Sequence, residues 1–364
     1  MRPTAAHLDL EALRHNFRLA ARLGGGGRTL AVIKADAYGH GAVTVARALA
    51  DLAPAFGVAC LEEAVALREA GIRTPLLVLG GFRDREELRE AAARRLWLML
   101  ESGEQVEELL AAAPGLPGAV GVWLEVETGM HRLGLPAEQL ASCYRRLRAC
   151  PAVAGEVVVA THLACADDPE DPMTARQLAR FRAALGGLDA PASIANSAAL
   201  LAFPEARAHW NRPGYLLYGN SPFAKAHPAA AGLRPVLSLR SRIIALRRVA
   251  PGEAVGYGAS WRAPRPLRLA TVPVGYADGY PRTAPSGTPV WVAGRRAPLV
   301  GRVSMDLITV DVTDVPEAAV GAEVELWGAH LSVNEVAAAA GTIGYELLVR
   351  LSPRVPRLPL PARS

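Results

Sequence analysis

The sequence predicts an α/β plus β protein: an N-terminal closed (β/α)8 barrel of the TIM type over residues 1–228, then a mostly antiparallel β domain over residues 229–364. Three observations lead there. The chain has 364 residues, which at roughly 100–200 residues per domain suits two domains or one large barrel with an addition. Eight short apolar or β-branched runs alternate with helical periodicity in the first part of the chain. After about residue 222 the texture changes to short strands punctuated by proline.

The eight runs are residues 30–35, 56–60, 75–80, 96–100, 120–127, 156–161, 191–195 and 208–212. Between them, residues 61–70, 85–95, 104–113, 137–149 and 174–185 place apolar side chains at helical spacing with charge on the other face. Eight strand–helix units within roughly 200–250 residues is the arithmetic of a closed barrel, whereas a doubly wound sheet usually has fewer strands. Ten prolines from Pro228 to Pro298 then separate β-rich runs such as 237–246, 267–274, 288–291, 306–312 and 323–327, with one helix near 333–340. That pattern indicates antiparallel strands joined by turns, and puts the boundary between Ser221 and Pro235.

At 51% hydrophobic and 21% charged residues the composition is that of an ordinary globular protein. No apolar run approaches the roughly 20 residues that cross a bilayer, and the opening Met1-Arg2-Pro3-Thr4-Ala5 lacks the apolar stretch of an export signal, so a cytoplasmic protein without a membrane partner is expected. Cys60, Cys143, Cys150 and Cys165 show no paired spacing and read as free thiols, with no metal site. A net charge of +5 comes from scattered basic residues, not a stripe with interleaved aromatics, which argues against nucleic acid. Of the 40 basic side chains only Lys34 and Lys225 are lysine. A lysine in a chemically suspicious place is therefore informative.

Barrel enzymes build their chemistry from the C-terminal ends of the strands. Here those positions carry Lys34, Glu125 followed by His131 and Arg132, then His162, Asn196 with Ser197, and Arg212 with Gly214 and Tyr215. An unpaired ammonium removed from water costs several kcal/mol, and covalent engagement of its amine with a carbonyl, as a Schiff base, relieves that cost. Alternatively, Lys34 points into solvent from a loop. Strands seven and eight of such barrels commonly bind phosphate, and here they supply the Ser197 hydroxyl and a glycine-containing turn. Lysine plus a phosphate cradle suggests pyridoxal 5′-phosphate. Ser197 could equally serve as the N-cap of a helix over 198–201, and the two roles are compatible.

The segment Ala31-Val32-Ile33-Lys34-Ala35-Asp36-Ala37-Tyr38-Gly39-His40-Gly41 resembles the lysine motif of the alanine racemases. The likeness continues, in family order, through Glu127-Thr128-Gly129-Met130-His131-Arg132-Leu133-Gly134, Thr161-His162-Leu163-Ala164, Asn211-Arg212-Pro213-Gly214, Val255-Gly256-Tyr257-Gly258-Ala259, Gly275-Tyr276-Ala277-Asp278-Gly279, Gly301-Arg302-Val303-Ser304-Met305-Asp306 and Arg354-Val355-Pro356-Arg357. The resemblance implies interconversion of L- and D-alanine, supplying D-alanine for peptidoglycan. It implies pyridoxal phosphate as cofactor, and a homodimer in which the C-terminal domain packs head to tail against the partner's barrel. Carried over, it makes Lys34 the cofactor-bearing base and Tyr38, Asn196, Ser197, Gly214 and Tyr215 contacts of the cofactor, mostly at its phosphate. His162 lies against the pyridine ring and Arg212 at its nitrogen, while Arg132 reaches both the cofactor's phenolic oxygen and the substrate carboxylate. Tyr257 of the partner subunit becomes the opposing base, with the partner's Met305, Asp306, Tyr276 and Arg282 at the substrate and the entrance.

Such an assignment suits the chemistry. Racemisation removes a proton from one face of Cα and returns one to the other, so two bases on opposite faces are required. A tyrosine, with a pKa ordinarily near 10, serves only if assisted; the resemblance implies a hydrogen-bonded chain from Tyr257 through His162 to Arg212. Taken by itself, Tyr257 reads equally as a turn residue between Gly256 and Gly258. A guanidinium at the pyridine nitrogen only donates hydrogen bonds, which limits electron withdrawal and side reactions; the related barrel-fold decarboxylases place a carboxylate there.

Two departures stand out. Many family members carry a carbamylated lysine where this chain has Glu125, so the expectation is a direct or water-bridged Glu125–Arg132 ion pair without carbon dioxide. Pro353 occupies a position where some relatives place a phosphate-contacting tyrosine. Competing readings are a racemase of broader amino-acid specificity and a non-catalytic pyridoxal phosphate carrier; the carriers lack a second domain like the one that holds Tyr257.

Overall fold

A computed structural model describes residues 2–223 and 225–361. Its centre is a closed barrel of eight parallel strands in sequence order: β2 (Arg28–Val32), β3 (Ala55–Val58), β4 (Leu76–Val78), β5 (Trp97–Leu100), β6 (Gly121–Glu125), β7 (Val158–Ala160), β8 (Ala192–Ser193) and β9 (Trp210–Asn211), with β9 closing onto β2. Each of the eight expected runs overlaps a strand; β2 and β3 begin before their runs, and the other six strands lie within theirs. The strands are almost wholly buried, as parallel strands covered by helices must be. Helices Leu61–Glu69, Arg85–Ala93, Gly103–Ala112, Ala137–Arg148 and Met173–Leu185 fall where periodicity places them. Several start on side-chain caps, with Asp84 accepting from the Glu86 and Glu87 amides and Ser102 from Gln105.

Three tryptophans plug the end of the barrel where the strands begin. Trp97 and Trp210 meet edge to face at 5.6 Å, and Trp123 packs against both. Gly121 sits in register with Trp97, and a Cβ there would lie 2.2 Å from the indole. A glycine is thus demanded by the bulk of its neighbour. With the floor filled, the other mouth is left for chemistry.

Beyond the barrel the chain forms a six-stranded mixed sheet and a three-stranded antiparallel sheet, Ala245–Val249 with Leu267–Val272 and Ile308–Asp311. Several strands here have no counterpart among the expected elements, and the one at the start of the chain matters most for the domain boundary. Residues Ala5–Leu8 form β1, which pairs antiparallel with Leu237–Arg242 and parallel with Arg357–Pro359. Residues Ala5–Leu8, assigned with the barrel by the expected boundary, thus contribute a strand to the C-terminal sheet. Helices Val333–Ala339 and Gly344–Val349 return from this half to lie over the barrel mouth, where the Asn334 amide donates to the Ser221 carbonyl at 2.8 Å. Among the described residues no helix is long and apolar enough to cross a membrane.

Candidate active site

Lys34 lies two residues past the end of β2, and the backbone that follows is unusual. Ala35, Asp36, Ala37 and Tyr38 all have φ near +53° and ψ between 42° and 53°, one turn of left-handed helix built from L-residues. Each residue there costs roughly 1–2 kcal/mol relative to the right-handed form. Tertiary bonds hold it. Glu63 accepts from the Ala35 amide at 2.7 Å, and Asp36 accepts from Ala42 at 2.7 Å. Buried His40 must donate through Nδ1, because its partners there are the Ala37 and Tyr38 carbonyls at 3.0 and 2.9 Å. Gly39 passes so close to the helix Gly344–Val349 that a Cβ would stand 2.1 Å from the Leu348 carbonyl oxygen. The turn points the Lys34 amine into the mouth and swings the Tyr38 phenol beneath it.

A cavity of about 1150 Å³ opens there. Its lining joins Lys34, Tyr38, Glu125, Arg132, His162, Asn196, Ser197, Arg212, Gly214 and Tyr215, the expected barrel residues together in one place. Lys34 is reachable by water yet ringed by protein. Partial desolvation, then the Arg132 charge, pulls its pKa below that of a free lysine, with Glu63 and Glu125 opposing. Its amine forms no hydrogen bond or ion pair with a described residue. His162 is driven to about 3 by burial and by the Arg212, Arg132 and Lys34 charges, so it is neutral at physiological pH. Burial also lowers Arg212, to about 10, which leaves it fully charged.

The opposite wall is built for an anion. Ser197 Oγ accepts from the Gly214 and Leu216 amides at 2.9 and 3.2 Å, so its own hydrogen is free to be donated into the cavity. Gly214 is required, because a Cβ would lie 2.4 Å from Tyr38 Oη. The Tyr38 hydroxyl has no partner among the described residues. Tyr215 Oη donates to Asn334 Oδ1 at 2.5 Å, and its ring stacks on Tyr345 with centroids 3.6 Å apart. A lysine amine facing a phosphate-sized group of donors fits pyridoxal phosphate. The helix N-cap in this region is Asn196, which accepts from Ala199 at 3.0 Å; Ser197 is the first helical residue, its oxygen turned to the glycine turn.

Glu125 and Arg132 form no direct ion pair, which leaves the water-bridged form of the expected contact; their charges influence each other through space. The His162–Arg212 link of the expected chain is not formed: Arg212 Nη1 donates to Ser193 Oγ at 2.5 Å and Nη2 to the Thr161 carbonyl at 2.7 Å. These bonds fix the guanidinium from beneath. Pro353 lies on an exposed turn outside the cavity. Conversely, Glu101, Asn334 and Tyr345 line the cavity in addition to the residues expected there. Glu101 is detectable, as the residue immediately after the 96–100 strand run; Asn334 and Tyr345 arrive from distant sequence and carry no such signal.

Tyr257, Tyr276, Arg282, Met305 and Asp306 do not line the cavity of their own chain. All sit on the surface of the C-terminal half, with Tyr257 68%, Met305 53% and Tyr276 41% exposed. Their backbones are nonetheless fixed. The Tyr276 and Ala277 amides donate to the Ser304 and Met305 carbonyls at 3.1 and 3.0 Å, an approach so tight that a Cβ on Gly275 would lie 2.3 Å from the Met305 oxygen.

Fold and site together define a barrel enzyme with an amine at the mouth of its first barrel strand, an anion cradle on the far strands and a β half presenting exposed aromatic residues. The model of the alanine racemase N-terminal domain matches residues 8–222, and that of the alanine racemase C-terminal domain matches residues 236–359. Among curated relatives, the biosynthetic alanine racemase of Pseudomonas aeruginosa is 51% identical over 360 residues, covering 98% of this chain and 99% of that one. The catabolic alanine racemase of Pseudomonas putida is 50% identical over 357 residues, again covering 98% and 99%. The crystal structure of the Pseudomonas aeruginosa enzyme superimposes with a TM-score of 0.94, covering 99% of this chain and 100% of that one. An alanine racemase from Bartonella henselae, solved with covalently bound pyridoxal phosphate, has 31% identity and a TM-score of 0.90 over 99% of this chain and 100% of that one. The chain belongs to the alanine racemase family.

Proposed function

We propose that the protein interconverts L- and D-alanine with pyridoxal phosphate held at the barrel mouth, supplying D-alanine for peptidoglycan. The observation that carries this is the unpaired Lys34 amine with a lowered pKa, opposite the Tyr38, Ser197, Gly214 and Tyr215 cradle. When bound, the cofactor acidifies the Cα–H of an amino acid by delocalising the electron pair left behind. Lys34, whose ammonium form is disfavoured by partial desolvation and by the Arg132 charge, can take or return a proton on one face of Cα. Arg132, exposed at the rim, orients the substrate carboxylate. Arg212, fixed by Ser193 and Thr161, holds its charge toward the ring nitrogen without giving up a proton.

A second base is needed on the opposite face, and no other described lysine or tyrosine lining the cavity offers one: Tyr38, Tyr215 and Tyr345 are held well above the usual tyrosine range, chiefly by desolvation. Tyr257 is fixed between Gly256 and Gly258, both at positive φ, and stands out from the C-terminal half. Reaching into the cavity of a second subunit is the role that its exposure and the two-base requirement support, and it makes the active form a homodimer. Borohydride reduction of the holoenzyme should trap pyridoxal phosphate on the peptide holding Lys34, and label on Lys225 would overturn the assignment. In Tyr257→Phe, solvent deuterium exchange at Cα should fall by about 10²–10⁴ for one enantiomer of alanine and be largely kept for the other. Equal loss for both would remove Tyr257 from the pair.

A further inference from the structure

Strands β5 and β6 are parallel neighbours with Leu100 in register with Leu124. The next residue on each is a glutamate, so Glu101 and Glu125 leave the rim side by side, on strands about 4.8 Å apart. Both line the cavity; Glu125 is 8% exposed and Glu101 half-buried. Neither carboxylate forms a hydrogen bond or ion pair with a described residue. Their main chains, however, carry the loop that presents Arg132. The Gly134 amide donates to the Glu101 carbonyl at 2.9 Å and the Leu135 amide to the Glu125 carbonyl at 2.8 Å. Glu101 is pinned further by Gln105, whose side-chain oxygen accepts from its amide at 2.7 Å.

Two carboxylates placed together out of bulk water do not both ionise freely, since each charge raises the cost of the other. We propose that Glu101 and Glu125 act as a pair that shares one proton, and that ionisation of Glu101 weakens the hold of Arg132 on a substrate carboxylate. This rests on the reading of Arg132 given above. The groups facing Glu101 are Glu125, Arg132 and Lys34; those facing Glu125 are Arg212, Arg132, Glu127 and Lys34. Burial first, and Glu125 second, push Glu101 up to about 7 against Arg132 and Lys34. Glu125 is also raised, chiefly by burial, but the Arg212 and Arg132 charges restrain it. Glu101 is therefore the member that keeps the proton. On ionisation the proton passes to water, and a second negative charge competes with the substrate for the guanidinium. Glu101 is thus a positioning residue whose charge state sets substrate affinity.

The test has two arms. In ligand-free protein carrying ¹³C-labelled glutamate side chains, a carboxyl titration near pH 7 is expected. It should be missing from Glu101→Gln and moved to lower pH in Glu125→Gln. With the holoenzyme, KM for alanine should rise roughly three- to tenfold more steeply with pH through neutrality in the wild type than in Glu101→Gln, the difference appearing in KM and not in kcat. All glutamates titrating below about pH 5 would overturn the pair, as would a midpoint unmoved by Glu125→Gln. Matching KM profiles would overturn the link to Arg132. Absence of racemisation in every form, with the carboxyl titration intact, would instead overturn the functional assignment and leave the pair standing.

Discussion

Asp278 shows how a residue far from the cavity governs surface chemistry. Its side chain is fully buried, a costly position for a carboxylate. Arg2 Nη1 and Nη2 donate to its two oxygens at 2.7 and 2.8 Å, Arg354 Nε donates at 2.7 Å, and the Gly275 amide donates at 2.9 Å. Burial would raise its pKa, but these donors outweigh burial and lower it. Arg354 also reaches Asp306 at 2.7 Å, so one carboxylate ties the start of the chain to the loops bearing Tyr276 and Met305. Asp278→Asn keeps the shape and removes the charge. Because both arginines are more than a third exposed, water offsets part of the loss, and a destabilisation of about 2 kcal/mol is expected from the urea midpoint. Amide exchange at Tyr276 and Ala277 should quicken in the same variant. An unchanged midpoint would show that solvent can replace the arginines' partner.

The left-handed turn after Lys34 is an element that propensity argues against. Ala35 is exposed and its φ and ψ are both 53°. Ala35→Gly should raise stability by about 0.5–1 kcal/mol, the relief of positive φ exceeding the added freedom of the unfolded chain. Ala35→Val should lower it by about 1–2 kcal/mol, since a β-branched side chain tolerates this region least. Urea unfolding of both variants measures the pair; the same sign for both would mean that the turn relaxes on substitution. Nothing in Ala35-Asp36-Ala37-Tyr38 foretells such a conformation, because Glu63, Ala42, His40 and the helix Gly344–Val349 impose it from outside. Strand β1 is illegible for a related reason: Ala5-Ala6-His7-Leu8 has little strand character, and its partners lie more than 200 residues away. The barrel strands, by contrast, announce themselves through compact β-branched runs alternating with helices. Most of the cavity is legible because barrel geometry assigns function to strand ends, and that rule alone picks Lys34, Glu125, His162, Ser197 and Arg212 out of the sequence. What it cannot give is pairing: Glu125 forms no direct ion pair with Arg132, and Arg212 commits its hydrogen bonds to Ser193 and Thr161.

On the scale of the whole molecule, one chain carries a cavity with Lys34 and, on a separate surface, an exposed group that includes Tyr257, Tyr276, Met305 and Leu307. Large apolar side chains left in water imply a covering partner more readily than a bare surface. A two-fold dimer is self-complementary, so the surface of each subunit would complete the cavity of the other and two equal sites would form. Subunit mixing tests that arrangement directly. Lys34→Ala and Tyr257→Phe should each be nearly inactive alone. If the two proteins are mixed and their subunits allowed to exchange, about half of the dimers are mixed, and each mixed dimer has one site lacking both groups and one site with both intact. Activity should therefore return to about a quarter of that of the same amount of wild type. Were Lys34 and Tyr257 to serve the same site from one chain, every site in the mixture would still lack a base, and exchange of subunits would restore nothing.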